Sequence, residues 1–139
     1  MNAPQIVRVR DVMKTDYDLV DGMKTVKQAL LEMRYPDTRA LLIDKRNEDD
    51  EYGIVLIADI AKQVLAADRS PDRVNLYEIM SKPVLGVAPG MRIKYCARLM
   101  QRFGITLAPV IDAGKLLGVV SYHDLVLTGL VRLLRETDD

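Results

Sequence analysis

The chain has 139 residues, enough for one compact domain and too few for two ordinary ones, and its 49% hydrophobic content excludes wholesale disorder. Twenty basic residues balance twenty acidic ones, so the net charge exerts no long-range pull on nucleic acid or on an anionic membrane surface. A single cysteine, Cys96, and a single histidine, His123, exclude an internal disulfide and a closed zinc site, and no apolar run approaches the ~20 residues of a membrane span.

Along the chain, the sequence divides into an N-terminal segment 1–8, a repeat 9–67, a linker 68–74, a second repeat 75–134 and a tail 135–139. Met1-Asn2-Ala3-Pro4 lacks the apolar core of a signal peptide, and with the one cysteine this reads as a cytoplasmic chain. The first repeat opens on Val12-Met13, followed by Gly22-Met23. Val26, Ala29, Leu30 and Met33 then have the i, i+3, i+4, i+7 spacing of a helix with one buried face. The apolar run 40–43, closed by Asp44, predicts a buried strand. A polar turn over 45–52 leads to a second strand from Gly53, with Asp59 six residues after that glycine. Ile60, Ala61, Val64 and Leu65 predict a closing helix. The stretch 68–73 is polar, contains Pro71, and reads as the linker.

The second repeat runs through the same signs in the same order. Ile79-Met80 is followed by Gly90-Met91, and then by a stripe of Ile93, Cys96, Ala97 and Met100. A strand over 108–111 closes on Asp112, a turn spans 113–117, and a strand starts at Gly118 with Asp124 six residues on. The last helix, 122–136, carries Leu125, Val126, Leu127, Leu130, Val131, Leu133 and Leu134. These leucines and valines cover more than one face, so one face is expected to meet another chain, as in a homodimer. The methionines fall mostly on stripe positions and read as core fillers, and Cys96 reads as a buried, inert thiol. The acidic run 48–51 lacks the alternating ligand spacing of a calcium loop and reads as a solvated turn.

Each repeat thus reads β-α-β-β-α, an α/β (α+β) arrangement. Units of under about 65 residues are expected to share one core by packing sheet against sheet with pseudo-twofold symmetry. There is no glycine-rich phosphate loop, no paired acid cluster and no usable triad, so the reading is of a protein that is not an enzyme.

The segments Ala108-Pro109-Val110-Ile111-Asp112 and Gly118-Val119-Val120-Ser121-Tyr122-His123-Asp124-Leu125 resemble the CBS domain, and two ordered copies resemble a tandem pair, or Bateman module. The first copy departs from the pattern, with Leu41 in place of the proline and Leu56 in place of the hydroxyl residue. The resemblance implies a stand-alone regulatory module with no required cofactor. Such a module binds AMP, ADP, ATP or S-adenosylmethionine in a cleft between repeats and signals to a regulated enzyme or transporter. The alternative is an interaction and dimerisation module whose clefts stay empty.

Within the resemblance, Asp124 holds the ribose hydroxyls, Ser121 donates to a phosphate, and Arg39 reaches the same phosphate from the other repeat. Val84, Leu85, Thr106 and Leu107 line the adenine, and Asp59 is the first-repeat counterpart of Asp124. Ser121-x-x-Asp124 also has the spacing of a helix capping box, and both readings stand. The Asp59 site has Leu56 where a hydroxyl is needed and Leu107 where the matching arginine would be, while Asp16 and Asp18 add like charge. One nucleotide per chain, on Asp124, is therefore the expectation.

Overall fold

Strand β2 (Ala40–Ile43) is an unbroken apolar run because both its edges are paired and all four residues are buried. In the computed structural model, which describes residues 5–82 and 84–137, β1 (Asp18–Val20) runs parallel to it and β3 (Gly53–Leu56) antiparallel. Leu41 faces Asp18 on one side and Val55 on the other. The first four residues of the expected N-terminal segment and the last two of the tail lie outside the described residues.

Helix α2 (Val26–Leu31) begins at Thr25, whose hydroxyl accepts the Gln28 N–H at 3.1 Å while the Gln28 side chain accepts the Thr25 N–H at 2.9 Å. It is shorter than the predicted stripe. Pro36 forces the preceding backbone out of the helical region, and the buried Asp18 carboxylate accepts the N–H groups of Arg34 and Tyr35, both at 2.9 Å. Val26 and Ala29 are buried as expected, whereas Leu30 is exposed and Met33 lies beyond the helix end. Helix α3 (Ile57–Ile60) widens into a π-helical turn, Ala61–Leu65, with Ile60 and Val64 inward and Leu65 outward.

The second repeat has the longer first helix, α4 (Ile93–Phe103), which ends on Gly104 at φ +66°, the left-handed cap that glycine adopts without strain. Ile93, Cys96 and Met100 are buried along it. Strands β4 (Leu107–Asp112) and β5 (Lys115–Ser121) form a hairpin with a bulge between Val110 and Ile111. Its turn is tighter than the predicted 113–117. Ala113 and Gly114 both have positive φ, a two-residue connection whose twist matches the strands, so Lys115, Leu116 and Leu117 belong to β5. The counterpart of β1 shrinks to a single parallel bridge between Val87 and Val110. After β5 the chain turns helical at Tyr122, follows a π-helical stretch, Asp124–Leu130, and ends in α5 (Val131–Thr137).

The compact units partition the chain differently from the sequence repeats. One comprises residues 16–84, and the other joins residues 5–15 to residues 85–137. Backbone pairing explains the exchange. Val9 N–H donates to the Met91 carbonyl at 2.8 Å and Ile93 N–H to the Val7 carbonyl at 3.1 Å. The short helix α1 (Val9–Val12) then buries Val9 and Val12 in the same core as Ile93, Met100, Val120 and Leu125. The equivalent ties in the other unit are Val26 N–H to the Val74 carbonyl and Leu76 N–H to the Lys24 carbonyl. Val74, inside the expected linker, is therefore a core residue together with Leu76 and Ile79. Among the methionines, Met100 is fully buried but Met23 is 63% exposed, so Met23 is not a core filler.

Candidate functional site

At the end of β5 the backbone passes from strand to helix within one residue, which leaves several N–H groups without helical partners. Ser121 and Asp124 satisfy them reciprocally. The Asp124 N–H donates to Ser121 Oγ at 3.3 Å, the Ser121 N–H donates to Asp124 Oδ2 at 2.8 Å, and Ser121 Oγ donates to the same oxygen at 3.0 Å. Asp124 is only 7% exposed, and its charge also suits the positive end of the helix. The capping role is thus realised in full, and it uses one carboxylate oxygen.

The other oxygen, Oδ1, accepts from Lys14 Nζ at 2.7 Å. The sequence reading did not include Lys14. Its backbone forms a two-way bridge with Val119, N–H to carbonyl at 2.8 Å and carbonyl from N–H at 2.9 Å, so the side chain starts from a fixed point beside β5. Ser81 makes the corresponding bridge to Ile54 in the other unit, where a short hydroxyl replaces the lysine.

Thr106 and Leu107 lie against this junction. The Tyr122 N–H donates to the Thr106 carbonyl at 3.4 Å, and Leu107 faces Ser121 across the hairpin. Thr106 is exposed and Leu107 buried. Leu85 is half-buried in the same unit, and His123 is exposed beside Asp124.

Arg39, Asp59 and Val84 belong to the unit 16–84. Arg39 is exposed at φ +60°, and its carbonyl accepts the Ile57 N–H at 3.0 Å, which fixes the start of α3. Asp59 is half-buried and accepts the Leu56 N–H at 3.0 Å. Leu56 has no hydroxyl to return the bond, so this junction has half the capping pair of the other. Val84 is half-buried. Asp18, expected to add like charge near Asp59, accepts the Arg34 and Tyr35 N–H groups on its buried carboxylate.

The acidic run 48–51 holds one organised carboxylate. Asp50 pairs with Lys82 Nζ at 2.5 Å and accepts the Arg46 N–H at 2.8 Å, and these contacts hold it well below the usual carboxylate range. Among the described residues, no group of three or more His, Cys, Asp or Glu side chains could hold a metal ion. Burial pushes the Cys96 thiol up to about 11, so it stays protonated and unreactive at neutral pH. Among the described residues, no helix is long and apolar enough to cross a membrane.

Two strand–helix junctions, one in each repeat, carry an acid in the third helical position, Asp59 and Asp124. The CBS domain profile matches residues 76–128. The hexameric CBS-CP12 protein of bloom-forming cyanobacteria has 34% identity and a TM-score of 0.84, with 89% of this chain and 72% of that one covered. An uncharacterised protein of Methanopyrus kandleri is 29% identical over 121 residues, which is 86% of this chain and 61% of that protein. This chain thus spans less than two thirds of that relative's length. A CBS domain pair solved in complex with 5′-methylthioadenosine and S-adenosyl-L-methionine has 22% identity and a TM-score of 0.76, with 92% of this chain and 99% of that one covered. The chain belongs to the CBS domain family.

Proposed function

We propose that this CBS module senses an adenosine-containing ligand at the Ser121–Asp124 junction and signals its presence to a partner protein. The observation that carries the reading is the Asp124 carboxylate. One oxygen is committed to the helix start, and the other is held only by a half-exposed lysine, among the described residues. A carboxylate so placed can accept from the vicinal hydroxyls of a ribose. The hydroxyl of Ser121 and the positive end of the helix that starts there favour a phosphate or carboxylate nearby. The adenosine ligands of the methylthioadenosine- and S-adenosylmethionine-bound relative support this chemistry at the level of the fold. Calorimetric titration with AMP, ADP, ATP, S-adenosylmethionine and NAD tests it. Saturable binding of at least one adenosine compound, with one site per chain, is expected. Absence of heat with all five would leave only the interaction reading.

A second reading rests on the last helix. Val126, Leu127, Leu130 and Leu134 are 44–65% exposed along one side, while Leu125 and Gly129 are buried on the other. Four contiguous apolar side chains facing water favour a symmetric contact with a second copy. Light scattering at micromolar concentration should give twice the 15.7 kDa chain mass. The double variant Leu130→Glu, Leu134→Glu should return the mass to that of one chain, and an unchanged dimer would place the contact elsewhere. Dimerisation and ligand sensing are compatible, and titration of the double variant separates them.

A further inference from the structure

We infer that Lys14 sets the charge requirement of the site: its ammonium holds Asp124 Oδ1 in the free protein and passes to the anionic group of the ligand on binding. The inference rests on the adenosine reading above and specifies which adenosine compounds the site accepts. Three observations carry it. First, the two carboxylate oxygens are unequally engaged, with Oδ2 locked by Ser121 N–H and Oγ and Oδ1 bonded to Lys14 alone among the described residues. A ribose diol that takes Oδ1 therefore has to displace the lysine. Second, the pair is asymmetric in exposure, with 39% of the Lys14 side chain open to water against 9% of Asp124. The ammonium can leave without desolvation, whereas the carboxylate cannot. Third, the Lys14 backbone is pinned to Val119 by two hydrogen bonds, so only its four-carbon stem needs to move. Lysine is a point charge with three rotatable donors, which suits a transfer between two oxygen anions better than a planar guanidinium does.

The exchange discriminates between ligands. A neutral nucleoside that takes Oδ1 leaves the buried carboxylate without its cation and offers the lysine nothing in return. A phosphate-bearing nucleotide takes the same oxygen and re-partners the ammonium with a new charge-assisted bond. The chain should therefore prefer phosphate-bearing adenosine nucleotides to adenosine itself by tenfold or more, as a rough scale.

The test titrates adenosine, AMP, ADP and ATP into the parent protein, Lys14→Met and Lys14→Arg. Methionine keeps the stem and removes the charge. In Lys14→Met the nucleotides should weaken about tenfold or more while adenosine binds as before or more tightly, because Oδ1 is freed. Lys14→Arg should keep the preference for nucleotides. A nucleotide-to-adenosine ratio that Lys14→Met leaves unchanged would overturn the inference while leaving the adenosine reading intact. If the parent protein binds none of the four compounds, the inference falls, and the adenosine reading falls with it only when S-adenosylmethionine and NAD also give no heat. Thermal unfolding of each variant accompanies the titrations, and a Lys14→Met protein that is unfolded at the titration temperature is replaced by Lys14→Gln, judged by the same ratio.

Discussion

Gly118→Ala is expected to destabilise the protein by about 3 kcal/mol or more, whereas Gly53→Ala, at the equivalent position of the other repeat, should cost about 1 kcal/mol. Neither glycine has a positive φ, so the requirement is for space. A Cβ on Gly118 would lie 2.4 Å from the Lys14 carbonyl oxygen, a backbone atom that is itself hydrogen-bonded to Val119. Relief requires the Lys14–Val119 bridge to open or β5 to shift away from the crossing segment. At Gly53 the nearest atom is Met80 Sδ at 2.8 Å, and the Ser81 carbonyl stands off at 3.4 Å. A thioether can rotate away where a bridged carbonyl cannot. Urea denaturation of the two variants checks the contrast through the shift in midpoint. Equal shifts would mean that the crossing segment yields freely. Because the same bridge positions Lys14, Gly118→Ala should also loosen any nucleotide bound by the folded fraction.

Features that sequence periodicity encodes were readable from residues alone. The runs 40–43 and 108–111 are strands buried along most of their length, and the stripe Ile93, Cys96, Met100 is the inner face of α4. Burial of one helical face or of a paired strand leaves a pattern at short range, and that pattern survives in the sequence. The exchange of opening segments left no such pattern. Val9 pairs with Met91 and Val26 with Val74 through backbone groups, whose partners no side-chain spacing records. The tight turn at Ala113-Gly114 was hidden for a related reason, since alanine seldom takes the positive φ that it adopts there. At the site, Ser121 and Asp124 were legible because a capping pair is local in sequence. Lys14 reaches Asp124 across 110 residues, and its only trace is a lysine in the place where the other repeat has Ser81.

Asp124 variants should separate the two roles that meet on this carboxylate. Asp124→Ala removes the acceptor for the Ser121 N–H, the partner of Lys14, and the proposed ribose acceptor together. Loss of hydrogen bonds to a charged group should weaken nucleotide binding by roughly 1.5–3 kcal/mol, or about 10- to 150-fold. The lost cap should also lower stability by about 1 kcal/mol. Asp124→Asn keeps a side-chain oxygen that can still accept the Ser121 N–H, so most of the cap survives. Its amide, however, carries no charge to hold the Lys14 ammonium and presents two donors. If the carboxylate is the ribose acceptor, Asp124→Asn should lose nearly as much affinity as Asp124→Ala while its unfolding midpoint stays close to the parent value. If Asp124 is only a cap, affinity should follow stability: Asp124→Asn would bind like the parent, and the small loss in Asp124→Ala would match its loss of folded protein. Calorimetry and urea denaturation on the same preparations distinguish the two outcomes, because binding and capping draw on opposite oxygens of one side chain.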